Sequence, residues 1–424
     1  MYVTASCTPV QLPHRGRGPS IGLGTSLFLL CEPLMSLRIL LILGALSAFG
    51  PLAIDMYLPA FPLIAQAFGT SVDHVQLSLA AYFIGLAIGQ LVYGPLADRY
   101  GRRGPLLVGV TLFTLASLAS AFAPSMDWLI GVRFVQALGG CAGMVVARAV
   151  VRDLCDPMTS AKVFSQLMLV MGLAPILAPV AGGALLATFG WPSIFILLTL
   201  FSALCLVAVA LWLPETYPPG LPRQPMAGAL SQYLRLFRDR FFMGHVLTGA
   251  LCMAGMFAYI TGSPFVFIEL YGVKPEHFGW LFGINAAGFI LMAQVNVRLV
   301  RWRGPEFWVR RWVWFFFASA LALLAVAAAQ PESLWPLLIP LFCCVSCLGC
   351  LLPNATACAM ADQRANAGSA SALLGSLQFT IAAIAASAVG ALHNGTAVPL
   401  AAIMSLCGLL ATLVAYGTAR ASTE

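Results

Sequence analysis

Two ionisable residues stand where an apolar chain tolerates them least. Asp55 lies in LAIDMYLPAFP and Arg133 in RFVQALGG, each within a long apolar run, and Asp55 is the only acid well inside such a run. A charged side chain at the centre of a membrane-depth helix costs roughly 2.5–3.5 kcal/mol on insertion scales, so function is the default reading. A carboxyl in that setting can take up and release a proton. An arginine can hold it in one state by pairing with it. The expected chemistry is proton coupling, with Asp55 as carrier and Arg133 as charge partner. Two plainer readings stand beside it. Asp55 fits the outer interface, wetted by water, because the run before it is already nearly membrane-thick. Arg133 fits a role as structural glue.

A second constellation is the charged loop GPLADRYGRR, with Gly94, Asp98, Arg99, Gly101, Arg102 and Arg103. Its glycines allow a tight turn and close helix approach. Asp98 can pair with an arginine or meet a helix N-terminus. Such a group can lock two halves of a protein together in one state and release them in another; the alternative is a solvated charge run. A third is GLAPILAPVAGG: Pro175 and Pro179 kink a helix, and Gly172, Gly182 and Gly183 permit close packing. Softer candidates for an adaptable apolar cavity are Tyr57, Gln136, Met168, Met171, Met256, Phe257, Asn285, Asn354 and Gln378. The same residue types also serve as ordinary core or lipid-facing groups. Glu269 is expected at the outer interface.

The elements that carry these residues follow from composition. The chain has 424 residues, 60% hydrophobic and 9% charged, with a mean hydropathy of +0.92. A soluble domain carries about 25% charged residues, so lipid must be the solvent. Apolar runs fall at 37–58, 75–96, 104–123, 128–151, 161–187, 191–213, 242–268, 276–297, 307–329, 333–360, 366–392 and 396–418. Spanning segments must satisfy their own backbone hydrogen bonds, so these are helices. The alternation of a membrane barrel is absent. Arginines gather in alternate connections, for example Arg99, Arg102 and Arg103, then Arg298, Arg301 and Arg303, while the opposite connections hold one basic residue, Lys274. That asymmetry predicts a multi-pass inner-membrane protein with both termini cytoplasmic. The net charge of +7 belongs to this pattern rather than to nucleic-acid binding.

The expected organisation is an extension over 1–34, a six-helix bundle over 35–213, a proline-rich cytoplasmic linker over 214–240 and a second six-helix bundle over 241–420. The extension reads either as a start codon placed too early, with Met35 a natural start, or as a disordered tail. Gly89, Arg99 and Arg102 recur as Gly288, Arg298 and Arg301 at one offset, as duplication of a six-helix unit requires. The second copy lacks the acid: Val297 stands at the Asp98 position and Val300 at the Gly101 position. The cysteines, including Cys343, Cys344, Cys347 and Cys350, read as small hydrophobes rather than as a metal site. No cofactor motif or enzyme signature is present, and GxxxxGK[ST] is absent, so the proton gradient is the available energy source.

The loop GPLADRYGRR resembles the signature loop of the major facilitator superfamily position for position. GLAPILAPVAGG resembles the motif associated with antiporters there, with Ala178 in place of a glycine. IDMYLPAFP at Ile54–Pro62, GQLVYGPLADRYGRR at Gly89–Arg103 and AGMFAYITGSPFVFIE at Ala254–Glu269 resemble the bicyclomycin and chloramphenicol resistance branch. The resemblance spans residues 36–418. It implies twelve helices in two pseudo-symmetric bundles, alternating access, and proton-driven export of drugs or metabolites by a monomer. Import of a small nutrient by a symporter or facilitator is the alternative.

Overall fold

The computed structural model describes residues 37–155, 157–217, 227–363 and 367–419, apart from the side chains of 157–162, 165, 168, 169, 227–230 and 419. Every regular element among them is helical. Twelve helices are long and apolar enough to cross a membrane. In chain order they are α1 (Leu37–Phe68), α2 (Val72–Tyr100), α3 (Arg103–Ala121), α4 (Met126–Leu154), α5 (Pro157–Phe189) and α6 (Pro192–Trp212). Then come α7 (Arg240–Leu270), α8 (Pro275–Trp302), α9 (Pro305–Ala328), α10 (Trp335–Met360), α11 (Ala367–Ala391) and α12 (Val398–Ala419).

Several helices outrun the apolar segments that predict them. At 29 residues each, α2 and α4 are longer than a bilayer core requires. Their surplus turns carry Asp98, Arg99 and Arg152, so those charges sit on helix rather than in loops. Hydropathy marks only the lipid-facing stretch.

α1 is long and broken, as its prolines imply. It is helical over Leu37–Ser47 and Phe49–Asp55, tightens to a 3-10 turn over Leu58–Ala60, and resumes over Phe61–Phe68. Pro51 and Pro59 lack the N–H that would bond back to the carbonyls of Ser47 and Asp55. The breaks therefore bracket Asp55. In α7 the helix passes into a π-turn over Phe265–Leu270, directly after Pro264.

The described part of the connection 214–240 is not all loop. Its second half forms a helix over Ala227–Arg238, and Leu236 is buried against Phe242 and Leu373. The apolar residues of an otherwise polar segment make it amphipathic, so it gains stability only by packing on the bundle.

The two halves repeat one packing scheme. In the first, α4 packs on α2 and α3; in the second, α10 packs on α8 and α9. The repeated glycines mark equivalent contacts. A methyl at Gly89 would stand 2.6 Å from Cys141 Cβ on α4, and one at Gly288 2.5 Å from the Phe342 ring on α10. The bundles meet along two seams, α2 with α11 and α5 with α8. The cysteine run lies on α10, where the thiols of Cys347 and Cys350 donate to the carbonyls of Cys344 and Met292, both at 3.1 Å.

Candidate functional site

Arg133 is wholly buried within the first bundle. Its Nη1 donates to Gln136 Oε1 at 2.6 Å and its Nη2 to the Ala53 carbonyl at 2.9 Å. Gln136 in turn donates to Ser117 Oγ at 2.7 Å. The guanidinium lies 4.3 Å from the Tyr82 ring centre and 4.7 Å from that of Tyr57. Its Nε has no acceptor. α4 thus reaches across to α1 at the turn where the regular helix ends, and a cation binds the exposed carbonyl there.

The expected ion pair between Asp55 and Arg133 is not formed among the described residues. The arginine's donors are taken by Gln136 and Ala53 instead. Asp55 is nonetheless buried, at 4% exposure. It lies within electrostatic reach of Tyr82 on α2 and Tyr259 on α7, and so near the seam between bundles. The methionine beside it, Met56, is packed by α5: a methyl at Gly182 would collide with the Met56 carbonyl. One residue on, a methyl at Gly183 would stand 3.0 Å from the Pro275 carbonyl of α8. The Gly182–Gly183 pair therefore joins α1, α5 and α8. Gly172, Pro175 and Pro179 lie on the same helix, and Gly172 faces Ile290 of α8.

At the basic end the charged loop is tied together. Arg102 donates to Asp98 Oδ1 at 2.5 Å and to Asp153 Oδ2 at 2.8 Å. Glu215, just past α6, accepts from the backbone N–H groups of Arg102, Arg103, Thr216 and Tyr217 at 2.8–3.1 Å. Burial alone would raise the Glu215 carboxyl, but these four donors outweigh it and hold it below the usual glutamate range. Burial alone would likewise lower Arg102, and the two carboxylates reverse that. Gly101 has φ +91°, and a methyl there would fall on the Glu215 carboxylate, so the loop requires glycine. Arg103 donates to the Ala210 carbonyl at 2.5 Å, while Arg99 stacks on Tyr100. All these bonds lie within the first bundle. The inter-bundle clasp expected of this loop is not closed among the described residues; Gly94 and Asp98 instead line a cavity.

That cavity, of about 270 Å³, opens between the bundles at the basic end. None of the eight candidate cavity residues with described side chains lines it. Tyr57 is spent on Ser78 Oγ at 2.9 Å and Gln136 on the arginine network. Asn354 and Asn296 bond each other at 2.8 and 3.2 Å. Asn285 donates to the Tyr259 hydroxyl at 3.0 Å. Met171, Met256 and Gln378 are half-buried elsewhere, and the Met168 side chain lies outside the described residues. Phe257 does sit between the bundles, its ring 4.4 Å from Phe83 of α2 and 5.9 Å from Phe379 of α11. This aromatic layer lies about two helical turns along α2 from Gln90, which lines the cavity. Asp55 lies at its level, since Tyr82 adjoins Phe83 and Tyr259 lies two residues beyond Phe257.

At the opposite end a contact joins the bundles. His393 Nδ1, two residues past α11, stands 3.2 Å from Asp73 Oδ1 of α2, with Glu269 of α7 in the same shallow groove. Sequence reasoning passed over Asp153, Glu215, Gln90 and the Asp73–His393 pair. Asp153 and Glu215 had a signal: each is an acid at the basic end of a span, where Asp98 and the arginines already lie. The Asp73–His393 contact joins residues 320 positions apart and had none.

A family model described as Major Facilitator Superfamily matches residues 40–387. An uncharacterized MFS-type transporter of Bacillus subtilis is 39% identical over 384 residues, covering 90% of this chain and 95% of that protein. A bicyclomycin resistance protein homolog of Haemophilus influenzae is 32% identical, covering 89% and 95%. Multidrug resistance protein D of Escherichia coli is 29% identical with the same coverage. Among solved structures, the xylose transporter XylE of E. coli, in a partially occluded inward open conformation, aligns with a TM-score of 0.67 at 13% identity, covering 89% of this chain and 96% of that one. A bacterial homolog of the human lysosomal transporter Spinster aligns at 0.66 and 16%, covering 92% and 98%.

Proposed function

The chain belongs to the major facilitator superfamily, and on that premise we propose that it exports drugs or small metabolites across the inner membrane in exchange for protons. The relatives named for bicyclomycin and multidrug resistance support the export direction. The observation that carries the coupling is Asp55: a buried carboxyl, without an ion-pair partner among the described residues, at the seam the bundles must shear to exchange access. Charge there is expensive at membrane depth, so taking up or losing a proton changes the relative energy of the two facings.

The basic end is the cytoplasmic one by the arginine asymmetry, which puts both termini inside. The structure then corresponds to a cytoplasm-facing state: cavity open inward, aromatic layer closed, Asp73–His393 latched outside. Substrate enters from the cytoplasm below Phe83, Phe257 and Phe379. Rocking about α2–α11 and α5–α8 opens the outer seam, where Asp55 exchanges its proton. Arg133 holds α1 to α4 at the break beside Asp55, so movement of that turn is passed to the rest of the bundle. Arg102, Asp98, Asp153 and Glu215 keep the inner ends of α2, α3, α4 and α6 moving as one body. A membrane potential of 100 mV supplies about 2.3 kcal/mol per proton moved inward.

The test is a pH jump applied to vesicles holding the full chain and a panel of resistance-relevant drugs. Uphill drug movement opposite to the proton gradient supports the reading. Drug or nutrient movement in the same direction as protons would overturn it in favour of symport.

A further inference from the structure

The inner cavity carries more cation than its acids answer. α4 brings Arg148 and Arg152 into it four residues apart, hence on one helix face. Arg148 donates only to neutral oxygens, from Nε to the Met144 carbonyl at 3.1 Å and from Nη2 to Gln90 Oε1 at 3.4 Å. Neither arginine has an ion pair among the described residues. The cavity's own carboxylate, Asp98, and nearby Asp153 are both held by Arg102. Both free arginines are exposed to the space rather than packed away.

The facing wall, from the connecting helix Ala227–Arg238 and α11, carries Gln232, Tyr233, Ser369 and Ser371, polar and uncharged among the described residues. Ser369 Oγ already donates to Gln232 Oε1 at 2.6 Å, which leaves the Gln232 amide nitrogen turned to other acceptors. The apolar part of the lining includes Val145, Phe164 and Met360. Two adjacent like charges on one helix face, unanswered among the described residues, are a site for an opposite charge. Guanidinium groups suit a planar oxyanion because they can donate two parallel hydrogen bonds.

We propose that this cavity selects a small amphiphile bearing one negative charge, a carboxylate or similar oxyanion, with Arg148 and Arg152 as the residues that recognise the anion. Val145, Phe164 and Met360 take its ring or chain, and the serine–glutamine wall contacts it from the other bundle. The volume, about 270 Å³, suits a compact ligand. The inference rests on the export reading for its role and adds the substrate class. It also has an electrical consequence: an anion leaving while a proton enters moves two charges in the same sense, so export responds twice as steeply to membrane potential as export of a neutral drug.

The test is equilibrium dialysis of radiolabelled 2-naphthoate and 2-naphthamide against the full chain in phosphatidylcholine nanodiscs. Naphthoate binding at least about tenfold tighter than the amide is expected, the difference a charge-assisted pair commonly makes. In the Arg148→Gln/Arg152→Gln double variant the ratio of the two affinities falls to about one, and Arg148→Lys, which keeps the charge, retains part of it. Equal affinities in the wild type, no binding of either compound, or a preference that survives in the double variant each overturn the proposal. So does loss of the preference when phosphatidylglycerol replaces phosphatidylcholine, since the arginines would then serve a lipid headgroup. Binding is read without transport, so a failure of proton-driven export would sink the export reading and leave this result standing.

Discussion

Replacing Arg133 with methionine removes a cation on which two helices converge, and the loss can be worked from its contacts. Its hydrogen bonds to Gln136 and Ala53 are 2.6 and 2.9 Å long, and bonds to charged groups contribute about 1.5–3 kcal/mol each. The rings of Tyr82 and Tyr57, at 4.3 and 4.7 Å, add about 2 kcal/mol each when desolvated. Against this, burying the cation costs about 3 kcal/mol. Methionine keeps the apolar stem but leaves Gln136 Oε1 and the Ala53 carbonyl without this donor. The balance is a net loss of about 4 kcal/mol or more. Lysine, a point donor, serves one acceptor of the two and recovers roughly half. The assay is reversible unfolding in mixed micelles of dodecylmaltoside and increasing SDS, followed by tryptophan fluorescence. Because Arg133 does not pair with Asp55 but shares the neighbouring Tyr82 with it, an Asp55→Asn/Arg133→Met double variant should show coupling at the low end for neighbours, about 0.5–1 kcal/mol. A loss below about 1 kcal/mol for Arg133→Met, or strong coupling to Asp55, would refute the reasoning.

Three further outcomes follow from the same geometry. Glu215 has its folded value depressed by backbone donors that outweigh burial, so its contribution is full above the ordinary glutamate range and is lost as pH falls through the depressed value; Glu215→Gln should flatten that acid limb in unfolding measured against pH. Gly279→Leu places a side chain where a methyl already stands 2.7 Å from Val180 N on α5, and should cost about 1–3 kcal/mol in the same unfolding assay and slow transport by wedging the α5–α8 seam. Asp73→Asn removes the outer contact to His393; a half-exposed pair is worth about 0.2–1 kcal/mol, so labelling of a cysteine introduced at the outer end of α11 should rise by about one and a half to fivefold, and an unchanged rate would exclude a latch.

The twelve spans were legible because lipid forces each crossing segment to be a helix and to be apolar, a constraint stronger than any propensity. Pro59 and Pro62 likewise made the break after Asp55 readable, since a missing N–H leaves a carbonyl unanswered wherever the chain lies; the earlier break, beside Pro51, was not read. The partner of Arg133 was not readable. Sequence offered one buried acid and one buried base and invited pairing, whereas the cation binds a glutamine on its own helix and a backbone carbonyl, acceptors that leave no mark in composition. The charged loop shows the same limit: its residues announced a switch, but not that Asp153 and Glu215 complete it within one bundle. The cavity residues were missed for a third reason. Soft apolar side chains are abundant in every span, while Gln90, Arg148 and Ser369 come together only through the crossing of α2, α4 and α11.

The most direct measurement of the central claim is energised efflux from pump-deficient cells, comparing wild type with Asp55→Asn at matched expression over a panel of drugs that includes anionic compounds. The account predicts uphill efflux by the wild type, abolished by a protonophore, and no uphill efflux by the variant. Full proton-driven efflux by Asp55→Asn would contradict it and move the coupling site away from the broken turn of α1.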